Sequence, residues 1–220
     1  MTPLFLSVLV SMFATLPPLP VPVLHPHLPK AIVVGGAGGK ATLLYFTVPA
    51  NPEHLNGLQP GFQWHLGYAQ LNTEVPLKIG EATVAAGAYK CDVRRGDSGE
   101  QWSIVLVNND YAAAEAAWQR AKRRGTEQQV ADAEAKVDAL QQKIDAGEMV
   151  KEYVLPLQSK EGDEAEHLTL SVINRGYATE RRGSDVAVGG VEFALRIDFG
   201  AVHEELEVAE VFGKDANKRP

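Results

Sequence analysis

QWHLGYAQLNTEVPLKIGEATVAAGAYKCDVRRGDSGEQWSIVLVN, residues 63–108, decides the fold class. Trp64 to Leu71 has the composition of a strand. Leu77 to Ile79 is a short apolar run that stops at Gly80-Glu81, a turn signal. Ala82 to Val84 leads into Ala85-Ala86-Gly87, a second turn. From Ala88 the chain alternates. Tyr89, Cys91 and Val93 point one way, and Lys90, Asp92 and Arg94 the other. Successive side chains of a strand leave opposite faces, so this is a strand with one wet face and one buried face. Gly96 to Gly99 turns the chain again. Gln101 to Val107 follows, with Trp102, Ile104 and Leu106 on a common face.

The same period-two pattern extends in both directions. Upstream, Ala41 to Val48 is rich in β-branched and aromatic residues and stops at Pro49. Pro49 to Gly61 reads as a loop. Downstream, Tyr153, Leu155 and Leu157 share a face, as do Leu168, Leu170 and Val172. Val191, Phe193, Leu195, Ile197 and Phe199 give the cleanest alternation, and Leu206 and Val208 close the set. Short alternating strands with turns between them predict a mainly β fold: an antiparallel β-sandwich or a barrel-like sheet.

The pattern breaks between Tyr111 and Ala146, where Ala, Glu, Gln, Lys and Arg dominate. These are strong helix formers, so an inserted helical hairpin is expected there. Gly125 suits the left-handed residue that ends a first helix. Thr126 with Gln129 three positions on fits a capping box, in which each side chain satisfies the other residue's amide. Val130, Ala133, Val137, Leu140 and Ile144 fall at a and d spacing, with Trp118 as their natural partner on the first helix. Such a stripe also allows a homodimer through helices 111–146. The chain thus divides into a leader over 1–16, a Pro/Gly-rich linker over 17–40, a single β-rich domain over 41–212 and a disordered tail over 213–220.

Composition removes several function classes. The net charge is −7 and the basic pairs are scattered, which excludes a nucleic-acid surface built on clustered Lys and Arg. Cys91 is the one cysteine, so no disulfide forms within the chain, and it sits at a core position. No Cys/His spacing suits zinc, and neither metal nor cofactor is expected. Leu4 to Leu16 is apolar, about as long as the hydrophobic part of a signal peptide and too short to span a bilayer. It implies export to the periplasm or beyond. The leader is atypical: Met1-Thr2-Pro3 lacks a positive charge and Met12 sits two positions before Ala14. Ala31-Ile-Val-Val34 followed by the glycines up to Gly39 looks like a phosphate loop, but a P-loop needs Gly at Val34 and Ser or Thr at Ala41. It is read as flexible linker.

The order of motifs resembles a bacterial family catalogued as domain of unknown function 2911. Tyr45 ends a strand before Pro49, and Trp64-His65-Leu66-Gly67 follows the loop. Then come Ile79-Gly80, Ala85-Ala86-Gly87-Ala88-Tyr89, and a strand from Trp102 to Asn108. The resemblance covers residues 41–108 and, more weakly, 153–208. It implies a β-rich, often exported domain and brings no established activity. The family's Arg after Trp is His65 here, its following Asn-Glu is replaced by Tyr68-Ala69-Gln70, and its turn Pro is Ala85. A polar site that the Arg and Glu would make in relatives is altered in this chain.

One candidate site emerges beside the long loop: Trp64 and His65, with Tyr45 at the other end of that loop. A Trp face and an imidazole can hold a small polar ligand. His167 and His203 fall on polar strand positions and are expected to face solvent. His203-Glu204-Glu205 is not a zinc helix, and no G-x-S-x-G elbow is present. The absence of catalytic motifs favours a non-catalytic domain that binds a ligand or protein partner at the cell envelope. The competing expectation is a hydrolase using His65 as acid or base, which requires a carboxylate or hydroxyl within reach of the imidazole.

Overall fold

A computed structural model describes residues 27–36, 39–51, 59–97, 99, 101–182 and 185–210. The side chains of 177–189 and of 210 lie outside that description, as do the leader, the start of the linker and the tail. The described chain is mainly β, with two antiparallel sheets and two helices.

The first sheet is built from β1 (Pro29–Gly36), β2 (Gly39–Phe46), β3 (Gln63–Thr73), β6 (Gly87–Arg95), β7 (Trp102–Asn108) and β8 (Glu152–Pro156), in that order across the sheet. The second runs β10 (Ala165–Arg182), β11 (Asp185–Gly200), β12 (Val202–Glu210), β4 (Leu77–Ile79) and β5 (Ala82–Val84). The two-residue β9 (Gln158–Ser159) also pairs with β12. The alternating residues read from the sequence are the core: Tyr89, Cys91 and Val93 from one sheet meet Phe193, Leu195 and Ile197 from the other. Each fully buried Leu or Ile contributes about 1.5–3 kcal/mol relative to exposure.

Two contacts bridge the layers where β3 begins. Trp64 stacks on Phe199 with ring centroids 5.0 Å apart. Tyr45 is buried, and its hydroxyl donates to the Leu170 carbonyl and accepts from the Leu170 amide, both at 3.2 Å. A residual cavity of about 50 Å³ lies between the sheets, walled by apolar side chains such as Ile104 and Phe193 and by Cys91. Burial pushes the Cys91 thiol up to about 12, so it stays protonated and inert.

The motif residues between Ile79 and Asn108 have local structural tasks. Gly80 takes a φ of 57° in the turn between β4 and β5. The Tyr89 hydroxyl donates to the Ala85 carbonyl at 2.8 Å and so closes the Ala85–Tyr89 turn. Asn108 caps the helix that follows β7, accepting from the amides of Asp110 and Tyr111.

The helices are α1 (Asn109–Arg124) and α2 (Glu127–Asp145), two consecutive helices joined only by Gly125 and Thr126 rather than the inserted hairpin expected. The capping box is present: the Thr126 hydroxyl accepts from the Gln129 amide at 3.3 Å, and the Gln129 side chain accepts from the Thr126 amide at 2.9 Å. Gly125 departs from expectation. Its φ of −93° and ψ of 170° are extended, not left-handed. Glycine is needed there for space, since a Cβ would stand 2.7 Å from the Ala121 carbonyl oxygen. Among the residues of α2 none is fully buried, and the stripe from Val130 to Ile144 is half-buried against α1.

The linker reading of 17–40 also needs correction. Residues 29–36 form β1 and residue 39 opens β2, paired from Pro29·Phe46 to Gly36·Gly39. Three of the glycines that suggested flexible linker, Gly35, Gly36 and Gly39, lie in paired strands.

His203 was expected to face solvent and does not. It lies on the outer face of the second sheet with only 5% of its side chain exposed. The cover is the connection from β9 to β10, which crosses the ends of β12 and β11. Along it, the Lys160 amide donates to the His203 carbonyl at 2.8 Å, and Arg196 Nη2 donates to the Glu161 carbonyl at 3.1 Å. Beneath it His203 Nδ1 donates to Asp198 Oδ1 at 2.7 Å. Alternation along a strand reports which face a residue takes. It cannot report that a later segment folds over that face.

Gly162 is the closest point of this cover. A Cβ would fall 2.7 Å from His203 Nδ1 and 2.8 Å from Arg196 Nη2. Gly162→Ala is therefore expected to lift the cover and cost about 1–3 kcal/mol, as overpacked sites do. Urea denaturation of the variant checks this; an unchanged midpoint would show that the cover adjusts freely.

Candidate functional site

β3 is not a regular strand. It pairs with β6 through Gln63·Arg94, Trp64·Val93 and His65·Asp92, and resumes at Gln70·Lys90. Residues 66–69 therefore stand opposite Cys91 alone, and the excess is taken up as a bulge. Gly67 and Tyr68 sit in it with φ of 54° each. Gly67 is packed so closely that a Cβ there would run into the Phe46 carbonyl and the Leu168 side chain. That contact locks the bulge from beneath. Tyr68 is carried outward, 70% exposed, in a left-handed conformation that costs a non-glycine residue roughly 1–2 kcal/mol.

His65 lies beside it. The Tyr68 and His65 rings stack at 5.9 Å with an interplanar angle of 23°. The imidazole is held from below, because Nδ1 donates to Asp92 Oδ1 at 2.8 Å. Since the carboxylate accepts, Nε2 is the acceptor of the neutral ring. Asp92 is itself 1% exposed, although it sits on the face of β6 opposite the core. Its second oxygen accepts from Gln63 Nε2 at 2.7 Å and from Lys90 Nζ at 3.0 Å. Arg94 continues the network to Gln63 Oε1 at 2.8 Å and to Glu152 Oε1 at 3.3 Å.

Burial alone would raise the Asp92 pKa. The hydrogen bonds from Gln63, His65 and Lys90, with the Lys90 charge, outweigh it and hold the carboxyl below its usual range. The result is an ionised, fully hydrogen-bonded anchor under a half-exposed imidazole. Leu44 and Phe46 on β2, the strand paired with β3, and Phe62 just before β3 are exposed apolar residues. No family model, curated protein or solved structure matches this chain.

The three residues singled out from sequence are separated by face. His65 reaches the surface. Trp64 turns inward onto Phe199, and Tyr45 is held between the sheets. Tyr68 stands beside His65 at the surface and Asp92 lies buried beneath it, and sequence reasoning passed over both. A signal for Tyr68 existed, because a lone Gly in a strand pattern suggests a bulge. None existed for Asp92, whose partners include Gln63 and His65 from a different strand as well as Lys90 from its own.

A second buried carboxylate, Glu204, lies on β12 in the other sheet. Burial raises its pKa more than the Ser159 hydroxyl, which donates to it at 2.7 Å, and the nearby His203 lower it. Among the described residues no group of three or more His, Cys, Asp or Glu is placed to hold a metal ion, and no helix is long and apolar enough to cross a membrane.

Proposed function

We propose that this chain is a non-catalytic binding domain, acting at the cell envelope, whose β3 bulge presents Tyr68 and His65 to a protein partner. The observation that carries the reading is Tyr68 itself: exposed, backbone-strained and stacked on an imidazole that a buried carboxylate holds still. Strain that no burial of the side chain offsets is the mark of a position kept for contact. Aromatic rings fixed at a surface contribute large contact area at little further entropic cost. The exposed apolar residues Leu44, Phe46 and Phe62, on β2 and just before β3, favour a protein partner. Export, and membership of the family that the Ile79-Gly80 and Gly87-Ala88-Tyr89 motif resembles, are parts of the same proposal.

The test separates stability from binding. Tyr68→Gly removes the ring and the backbone strain together. The variant is expected to be as stable as the parent or more so, by up to about 1 kcal/mol, while losing the partners that the parent recovers from envelope extracts. Equal recovery by both proteins would refute the assignment.

A hydrolytic reading has one observation in its favour, the 2.8 Å bond that orients His65 on Asp92, an arrangement suited to a general base. It demands turnover of an activated ester that His65→Ala removes. Wild-type protein without turnover excludes it.

A further inference from the structure

We infer that the open edge of β1 is a self-association surface, on which a second copy of this chain pairs its own β1 antiparallel about a two-fold axis.

The four sheet edges are not alike. β5 has three residues and leaves little edge to pair with. β8 has five, carries Glu152 and ends at Pro156. β10 is long but its register shifts at three places, with Gly176 at a φ of 133° beside one of them. Short length, proline, charge and bulges are the devices by which proteins blunt sheet edges. β1 has none of them along its middle: Ala31-Ile-Val-Val-Gly35 is regular, β-branched and uncharged. Among the described residues no strand pairs with its outer side.

The ladder tells which residues offer that edge. The Thr47 amide donates to the Leu28 carbonyl, and bonded pairs alternate along an antiparallel ladder. Lys30, Ile32 and Val34 therefore bond to β2. Ala31, Val33 and Gly35 turn their N–H and C=O groups outward.

Those groups are self-complementary. A two-fold axis at Val33 sets Val33 opposite Val33 of the copy and Ala31 opposite its Gly35, and each such pair exchanges two hydrogen bonds. Val33, 62% exposed, then meets a β-branched partner on the outer face. On the inner face Ile32 falls opposite Val34. Both are partly buried against the core at its open margin, and pairing covers them. Lys30 falls opposite Gly36, so no like charges meet. The copy thus fits the three features at once: free backbone groups, half-covered apolar side chains and a charge-free middle.

The test is sedimentation of the full chain over a dilution series. The wild type is expected as a dimer, at twice the 23.8 kDa chain mass. Val33→Pro removes one outward N–H without touching a bond to β2, and Val33→Lys sets two cations against each other. Each is expected to weaken the dimer by more than about tenfold while leaving far-UV circular dichroism and the urea midpoint near wild type. Tyr68→Gly is expected to leave the dimer intact, since it touches a different surface. A monomeric wild type throughout the series overturns the inference. So does a dimer that survives both Val33 variants, which would place association elsewhere, on α1 and α2 for example.

Discussion

Replacing Gly67 with alanine is expected to destabilise the domain by about 3 kcal/mol or more. Two causes add. The φ of 54° costs any L side chain roughly 1–2 kcal/mol. In addition, the new Cβ would be driven into the Phe46 carbonyl, and would lie 2.7 Å from Leu168 Cδ2. Neither neighbour is free to move: Phe46 ends β2, and Leu168 is fully buried with its amide donating to the Val48 carbonyl. Gly80→Ala is the natural comparison, because Gly80 has a similar φ but nothing within 4 Å of its missing Cβ. It should show the backbone cost alone, about 1–2 kcal/mol. Urea midpoints of the two variants measure the difference. If Gly67→Ala is no worse than Gly80→Ala, the bulge is not locked from beneath and the rigid display of Tyr68 fails with it.

The second large effect belongs to Asp92. Asp92→Ala is expected to cost about 2–4 kcal/mol, because it leaves the donors of Gln63, His65 and Lys90 without their acceptor. Lys90 and His65 are partly exposed and recover some hydration, which keeps the figure below that of a wholly buried pair. The pH dependence has a definite sign. The folded-state pKa of Asp92 lies below its unfolded value, so its contribution is fully present above the unfolded value of about 3.9 and is lost as pH falls through the folded one. Wild-type stability should therefore decline on acidification through this window by more than that of Asp92→Asn. Parallel acid profiles for the two proteins would show that the carboxylate is not the anchor described.

Legibility from sequence followed the range of the forces involved. The strand at Ala88 to Val93 was readable because inward and outward residues alternate within a few positions. The Thr126–Gln129 box was readable because both partners lie within one helical turn. The β3 bulge was signalled only by the lone Gly67; what diverts the strand is the backbone of β2 and a side chain of β10. β1 has the composition of linker because glycines end it and open β2. His203 and Asp92 were both read as surface groups. One is covered by the residue 160–164 segment, the other by Gln63, His65 and Lys90.

The stretch 63–108 thus determined by itself that this is a mainly β protein, which strand faces form the core and that Cys91 is buried. Those properties rest on local periodicity and on apolar burial, which is non-directional and tolerates imprecise placement. Only the tertiary structure decided that Trp64 and His65 part company, that Asp92 is the anchor of the imidazole and that Tyr68 is lifted into view. Those properties depend on a bulge of a few residues and on hydrogen bonds with tight distance limits between strands far apart in the chain.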